Sequence, residues 1–397
     1  MWNERSLFLC LLKSRIYRGI DAKNLILDID SLAGEGFQPN SSQTLHTLYH
    51  MAKRQDLAHL VGDALENNQL MEGDLEVRKL FLQERDKAIF RYEQMQYELD
   101  EISRVLREAK IPFMPLKGAV LRTLYPEPWM RTSCDIDVLV QESDLQAAID
   151  ALHKELEYTC DAIGAHDAQL YAPSGVHLEL HYTLSSSDSS KAEREYFDRV
   201  WEHDAASADY CRKMSDEAFY CYFIAHTAKH VQEGGCGVRP FIDIWLMNHK
   251  MGFNLEKRRA ALQQTGFLTF ALAAEHLSEV WFGEATVTPM DEALEEYVLT
   301  GGVYGTMQNR VAAKTGGEKS RFSYLMSRIF LPYRVMKFKY PRLQKHPILL
   351  PFYQVKRWFN LLKKDRREQS VRELRETTGG NRERQEQVAQ LLADLGL

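Results

Sequence analysis

Between residues 77 and 107 apolar side chains recur at spacings of three, four or seven with charges between them: Leu82, Ile89, Tyr92, Met95, Leu99, Ile102 and Leu106. That is the period of an amphipathic helix, and the pattern predicts an all-helical lead-in over residues 42–110. The text then changes. Residues 111–116 (Ile-Pro-Phe-Met-Pro-Leu) are short, apolar and broken by two prolines, which favours an extended edge segment over helix. A helix-like run from Gly118 to Tyr125 and a loop holding Pro126 and Pro128 follow. Residues 134–140 (Cys-Asp-Ile-Asp-Val-Leu-Val) then alternate as a strand does. Residues 144–156 read as another amphipathic helix, and residues 176–181 (Val-His-Leu-Glu-Leu-His) as a second alternating strand. A polar Ser/Asp loop at 185–190 closes this block, and from about residue 192 the helical period returns, punctuated by glycine pairs such as Gly234-Gly235. The expected fold is α+β, with a small mixed-sheet core flanked by helical N-terminal and C-terminal regions. We divide it into a helical region 1–110, the core 111–190, a helical domain 191–320 and a basic, aromatic-rich tail 321–397, ending in a terminal helix after Gly379-Gly380.

Composition narrows the classes. The chain has 397 residues, 45% hydrophobic and 27% charged, enough for two or three domains with real cores, and this excludes global disorder. The net charge of −6 gives no strong nucleic-acid signal, so any basic surface is local. It is local: residues 321–367 carry thirteen Lys or Arg against one acid, Asp365, interleaved with Phe and Tyr. Such a stretch suits an anionic membrane surface, nucleic acid or an acidic partner, the plain alternative being an ordinary helical surface; its four prolines argue against one long membrane helix. The apolar run at residues 7–12 is too short to span a bilayer and has no cleavage site, which predicts a cytoplasmic protein, peripheral to a membrane at most. Six scattered cysteines without a Cys-x-x-Cys pair read as reduced core thiols.

Asp135 and Asp137 stand two apart on a predicted strand, so both carboxylates leave the same face while Ile136 and Val138 enter the core. Like charges held that close require neutralisation, and carboxylate oxygens are the ligands Mg²⁺ prefers. An Asp-x-Asp pair alone is a weak signal, and Asp28-Ile29-Asp30 has the same spacing in a loop-like context, so we treat it as a decoy. The second pair differs in its surroundings. Lys117-Gly118 opens a predicted helix seventeen residues ahead of Asp135, offering backbone N–H groups and an ammonium to phosphate oxygens. Arg131 adds a planar donor fork, and Glu179 faces outward on the later strand as a third acid.

The run Pro115-Leu116-Lys117-Gly118-Ala119-Val120-Leu121, then Tyr125-Pro126, Arg131 and Asp135-Ile136-Asp137-Val138-Leu139-Val140, resembles the uncharacterised nucleotidyltransferase family of the polymerase-beta-like superfamily. The resemblance spans most of residues 45–360 and continues in His226, His230, Arg239 and Asp243. It implies that Gly118 is the turn glycine, that Asp135, Asp137 and Glu179 are catalytic and metal-binding acids, and that Lys117, Gly118 and Arg131 bind the nucleotide. His181, His226, His230 and Arg239 are candidate acceptor or phosphate contacts. The implied cofactor is Mg²⁺ or Mn²⁺, and the implied reaction moves a nucleoside monophosphate from a nucleoside triphosphate, ATP among them, to a hydroxyl or phosphate acceptor that the sequence does not identify. One departure stands out: Ala119 occupies a position where the wider superfamily commonly has a phosphate-binding Ser.

Two other classes stay open. A catalytically degenerate scaffold that binds nucleotide or a protein partner gains from the absent Ser and loses from the three retained acids. A metallohydrolase would draw on His177, Glu179 and His181, alternating on one strand face, together with His226 and His230 one helical turn apart. Arg239 and Asp243, four apart, are placed to pair with each other on one helix.

Overall fold

The computed structural model describes residues 3–17, 37–186, 189–203, 209–303, 342–361 and 382–397, with single positions 305, 309, 333, 336 and 340. Asp28-Ile29-Asp30 and most of the basic stretch before residue 342 lie outside the described residues. The chain forms two compact units, residues 1–226 with 238–291 and residues 227–237 with 292–397.

In the first unit the helical lead-in is α1 (Glu4–Ile16), α2 (Ser42–Arg54), α3 (Ala58–Asn67) and α4 (Leu75–Glu108). The starts follow from local chemistry: Asn3, Ser41 and Asp74 each turn a side-chain oxygen onto an otherwise unpaired N–H of the first turn. α1 buries Leu7, Phe8, Leu11, Leu12 and Ile16, one stripe at helical spacing. α3 meets α4 at Gly62, where a Cβ would lie 2.7 Å from Cβ of Phe81, so only glycine permits this approach.

The sheet contains β1 (Phe113–Pro115), β2 (Asp135–Val140), β3 (Thr159–Ile163), β4 (Asp167–Tyr171) and β5 (His177–His181), in the order β1-β2-β5-β4-β3. Only β2 and β5 run parallel; the other pairs are antiparallel. The period of two sorts the faces. Ile136, Val138, Val140, Leu178 and Leu180 enter a core with Met95, Ile102 and Leu106 of α4 and with Ala148, Ile149 and Leu152 of α6 (Leu145–Leu156). Asp135, Asp137, His177, Glu179 and His181 leave the opposite face. The edge strand β1 holds its proline where no ladder N–H is required, and its outer side is covered by residues 210–212, with Phe113 N donating to Tyr210 O at 2.9 Å.

Two sequence expectations are corrected here. The helix-like run from Gly118 to Tyr125 is one α-helical turn, α5 (Gly118–Leu121), followed by a 3₁₀ turn (Arg122–Leu124). Pro126 follows at once, and Arg122 Nε donates to Gly118 O at 2.9 Å, so the helix cannot lengthen and its dipole is small. The cysteines are not all core thiols: Cys134, before β2, and Cys160, on the edge strand β3, are exposed, while Cys221 and Cys236 are buried.

Beyond α7 (Lys191–Phe197), which Ser190 and Glu193 start with a capping box, come α8 (Asp216–Gln232), α9 (Arg239–Lys250), α10 (Leu255–Thr265) and α11 (Leu268–Phe282). α9 packs on α11, with the Phe241 ring 5.0 Å from that of Trp281. The second unit holds the later part of α12 (Pro289–Gly301), α13 (Arg342–Lys345), α14 (Leu350–Leu361) and α15 (Arg382–Asp394). Met336, Leu343 and Tyr353 form a small core there, and Tyr297 Oη donates to Val231 O at 2.6 Å. Among the described residues no helix is long and apolar enough to cross a membrane.

Candidate functional site

The parallel register sets Asp135 beside His177 and Asp137 beside Glu179, so the acids of β2 and the alternating His-Glu-His of β5 share one face. Over it stands Lys117, the residue before α5. Its φ of +37° puts a side-chain-bearing residue in the left-handed region, a strained backbone of the kind that a strong side-chain anchor can hold. The anchor is present: Lys117 Nζ donates to Asp137 Oδ1 at 2.8 Å, and Tyr222 of α8 acts electrostatically on the same ammonium. His181 Nε2 lies 2.9 Å from Asp137 Oδ1 and 3.5 Å from Glu179 Oε2.

These contacts fix the charges. Burial opposes ionisation of Asp137, yet Lys117 and His181 outweigh it and hold the carboxyl well below the usual carboxylate range. Burial likewise disfavours the Lys117 ammonium, but the Tyr222 hydroxyl, Asp137 and Asp135 keep it charged. His181 loses solvation but gains hydrogen bonds to Asp137 and Glu179, which lift it to about 9, so it is an imidazolium at neutral pH. Glu179 is lowered by its hydrogen bond with His181. Asp135 has less support: burial and the Asp137 charge push it up to about 6 against the opposing pull of Lys117. Three carboxylates thus face two cations, and the face keeps a net negative charge centred on Asp135.

Gly118 begins α5 beside this face. A Cβ there would lie 3.1 Å from Arg131 Nη1 and 3.2 Å from Ser133 Oγ, so glycine leaves a small polar concavity that any larger residue would fill. Ala119 packs instead against the core. Ser133 stands beside the turn, its Oγ accepting from Arg122 Nη2 at 3.2 Å and donating to Asp135 O at 3.2 Å; sequence reasoning did not single it out. Tyr222, also missed, gave no local sign, for it reaches Lys117 from a helix far along the chain.

Arg131 is only partly available to a phosphate. Its Nε and Nη2 grip Asp243 of α9, each at 2.9 Å, and Tyr125 Oη donates to the same carboxylate at 2.8 Å, leaving Nη1 toward Gly118. The expected Arg239–Asp243 pair does not form. Asp243 turns inward to Arg131, while Arg239, at the start of α9, reaches the carboxylate of Asp56 after α2. His226, half-buried on α8, has its ring 6.3 Å from Tyr222, and His230 belongs to the second unit.

Among the described residues two sets of three side chains converge closely enough to hold a metal ion: Asp135, His177 and Glu179, and Asp137, Glu179 and His181. Neither includes His226 or His230. The donors fit a divalent cation. Carboxylate oxygens predominate, as Mg²⁺ and Mn²⁺ require, and Nε2 of His177 is buried with no hydrogen-bond partner.

The family model described as "Uncharacterised nucleotidyltransferase" matches residues 41–283, well over half of the chain and all of the sheet and its acidic face. No curated protein and no solved structure gives a match. The chain belongs to the uncharacterised nucleotidyltransferase family.

Proposed function

We propose that the acidic face carries metal-dependent nucleotidyl transfer from a nucleoside triphosphate to an acceptor hydroxyl or phosphate. The observation that supports it best is the placement of Asp135, Asp137 and Glu179 on adjacent parallel strands, with the Gly118 concavity beside them. Asp135, Asp137 and Glu179 would hold Mg²⁺ or Mn²⁺, which when bound neutralises charge on the α-phosphate and the leaving pyrophosphate. The chain's own groups do the rest. The Gly118 turn, Ser133 Oγ, Arg131 Nη1 and the Lys117 ammonium receive phosphate oxygens, with Lys117 exchanging Asp137 for phosphate. The acceptor oxygen forms its bond to the α-phosphorus as the bond from that phosphorus to the bridging oxygen breaks. Pyrophosphate leaves, and Glu179 takes the acceptor proton. Such chemistry belongs in the cytoplasm, where nucleoside triphosphates are plentiful.

The test uses each α-labelled nucleoside triphosphate with Mg²⁺ or Mn²⁺ and fractionated acceptors: protein, RNA and small molecules. Label is expected to pass to one acceptor class with the wild type and not with Asp137→Asn; equal transfer by both would remove the proposal. The Lys117–Asp137 pair favours a second reading, a nucleotide-binding scaffold whose acid is permanently occupied. That reading expects nucleotide to bind without label transfer to any fraction.

For the tail we propose contact with an anionic membrane surface. Ile348, Phe352 and Val355, at and before α14, are 87%, 62% and 43% exposed at helical spacing, within the basic stretch 321–367.

A further inference from the structure

The two metal-capable sets share Glu179 but are not equivalent. In the Asp137 set, Asp137 already accepts from Lys117 Nζ at 2.8 Å and pairs with His181 Nε2 at 2.9 Å, so its oxygens and its imidazole are engaged with each other. The Asp135 set has no such internal pairing. His177 opens β5 directly beside Asp135 at the start of β2, and Glu179 follows two residues later on the same face. On the other side His177 pairs in register with Tyr171 of β4, whose ring stacks on the imidazole at 4.7 Å between centroids and 18° between planes. The stack fixes the plane of the ring. Its Nε2 is buried and without a hydrogen-bond partner, and a ring nitrogen of His177 lies with carboxylate oxygens of Asp135 and Glu179 in a group whose donor atoms are all within 4.8 Å of one another. An imidazole nitrogen that meets no hydrogen-bond partner is suited to a cation.

We infer that His177 is a metal ligand, and that Asp135, His177 and Glu179 form one mixed oxygen and nitrogen site selecting a divalent transition ion such as Mn²⁺ over Mg²⁺. Imidazole nitrogen contributes little to Mg²⁺, which is served by carboxylate and water oxygens, whereas the first-row transition ions bind it readily. The inference rests on the proposed reading for the place of the cation and adds the ligand and the selectivity. Asp137 Oδ1 is already held by Lys117 Nζ at 2.8 Å and His181 Nε2 at 2.9 Å, so this cation enters on the Asp135 side, whose carboxylate is not tied up in that way.

The test is direct binding to the full chain. Mn²⁺ is titrated and followed by electron paramagnetic resonance, and Mg²⁺ by its competition, for the wild type, His177→Asn and Glu179→Gln. Mn²⁺ is expected to bind the wild type at least about tenfold more tightly than Mg²⁺. His177→Asn should remove that preference by weakening Mn²⁺ roughly tenfold or more, the loss typical of a disturbed metal-ligand shell, with Mg²⁺ little changed. Glu179→Gln should weaken both ions. Pulsed resonance of wild-type Mn²⁺ should show coupling to a directly bound nitrogen, which needs no variant and so does not depend on how His177→Asn folds. Absence of nitrogen coupling in the wild type, or equal preference for the two ions, overturns the inference. The readout is independent of turnover: Mn²⁺ bound through nitrogen without nucleotidyl transfer would refute the proposed function alone, and transfer by a wild type whose bound Mn²⁺ shows no nitrogen coupling would refute the inference alone.

Discussion

Asp243→Leu should strongly destabilise the sheet-bearing unit although Asp243 touches no proposed ligand. Asp243 is 1% exposed at the side chain and Arg131 9%, so the pair is screened by protein rather than water. With charge centres about 4 Å apart and an effective dielectric near 20, their attraction is about 4 kcal/mol. Removing the carboxylate leaves a guanidinium buried without its partner and Tyr125 Oη without its acceptor. Breaking a buried pair from one side typically costs about 3–5 kcal/mol, and we expect Asp243→Leu to fall in that range. Adding Arg131→Met removes the stranded charge as well, so the double variant should recover to within about 1–2 kcal/mol of the wild type, the remainder being the unpaired Tyr125 hydroxyl. Urea denaturation followed by circular dichroism, compared at constant slope, measures both. A loss below about 1 kcal/mol for Asp243→Leu, or a double variant no more stable than the single, would refute the reasoning.

Other outcomes follow from the same structure. Burial holds His59 down at about 4 while its Nε2 lies 2.8 Å from Met130 O; a folded pKa below the unfolded value of about 6.5 means this stability is complete above about pH 6.5 and lost toward pH 4. The loss reaches about 3 kcal/mol, and His59→Gln, which keeps a donor for Met130, should flatten that part of the pH–stability curve; an unchanged slope would exclude the buried neutral imidazole. Nitrogen NMR at neutral pH should find the His181 ring doubly protonated, and a neutral ring would contradict the hydrogen bonds drawn to Asp137 and Glu179. Gly62→Ala should cost about 1–3 kcal/mol by forcing α3 away from Phe81, measured by thermal unfolding; a neutral result would mean the two helices separate freely. Vesicles containing anionic lipid should co-sediment the protein in a salt-sensitive manner, and Phe352→Ser with Ile348→Ser should release it; no binding to such vesicles would end the membrane proposal.

The strands that carry the acids were legible because one face of each is core and the other solvent or site: Ile136 and Val138 against Asp135 and Asp137, Leu178 and Leu180 against His177 and Glu179. β3 was not, since all five of its residues are exposed on an edge and no apolar alternation marks them. Nor was β4, whose two inward positions, Ala168 and Leu170, are too few to register a period. The helix opening at Gly118 was read from the sequence, but its length was overestimated, because apolar spacing does not reveal that Arg122 caps Gly118 from within the turn. Pairing failed for a different reason. Arg239 and Asp243 sit at a spacing that permits an ion pair, yet burial gives Asp243 a bidentate partner from 112 residues away, and no local pattern announces such a contact. The unpartnered nitrogen of His177 is equally invisible in sequence, because the stacking that orients it depends on β4.

The central claim, that the face bearing Asp135 and Asp137 binds a nucleoside triphosphate together with a metal, is tested most directly by calorimetric titration. Each nucleoside triphosphate would be added to the wild type and to Asp135→Asn/Asp137→Asn, with Mn²⁺, with Mg²⁺ and with chelator. We predict binding that requires the metal in the wild type and is lost in the double variant while the fold, followed by circular dichroism, is retained. Binding of equal strength in the double variant, or no binding of any nucleoside triphosphate by the wild type under either metal, would contradict it.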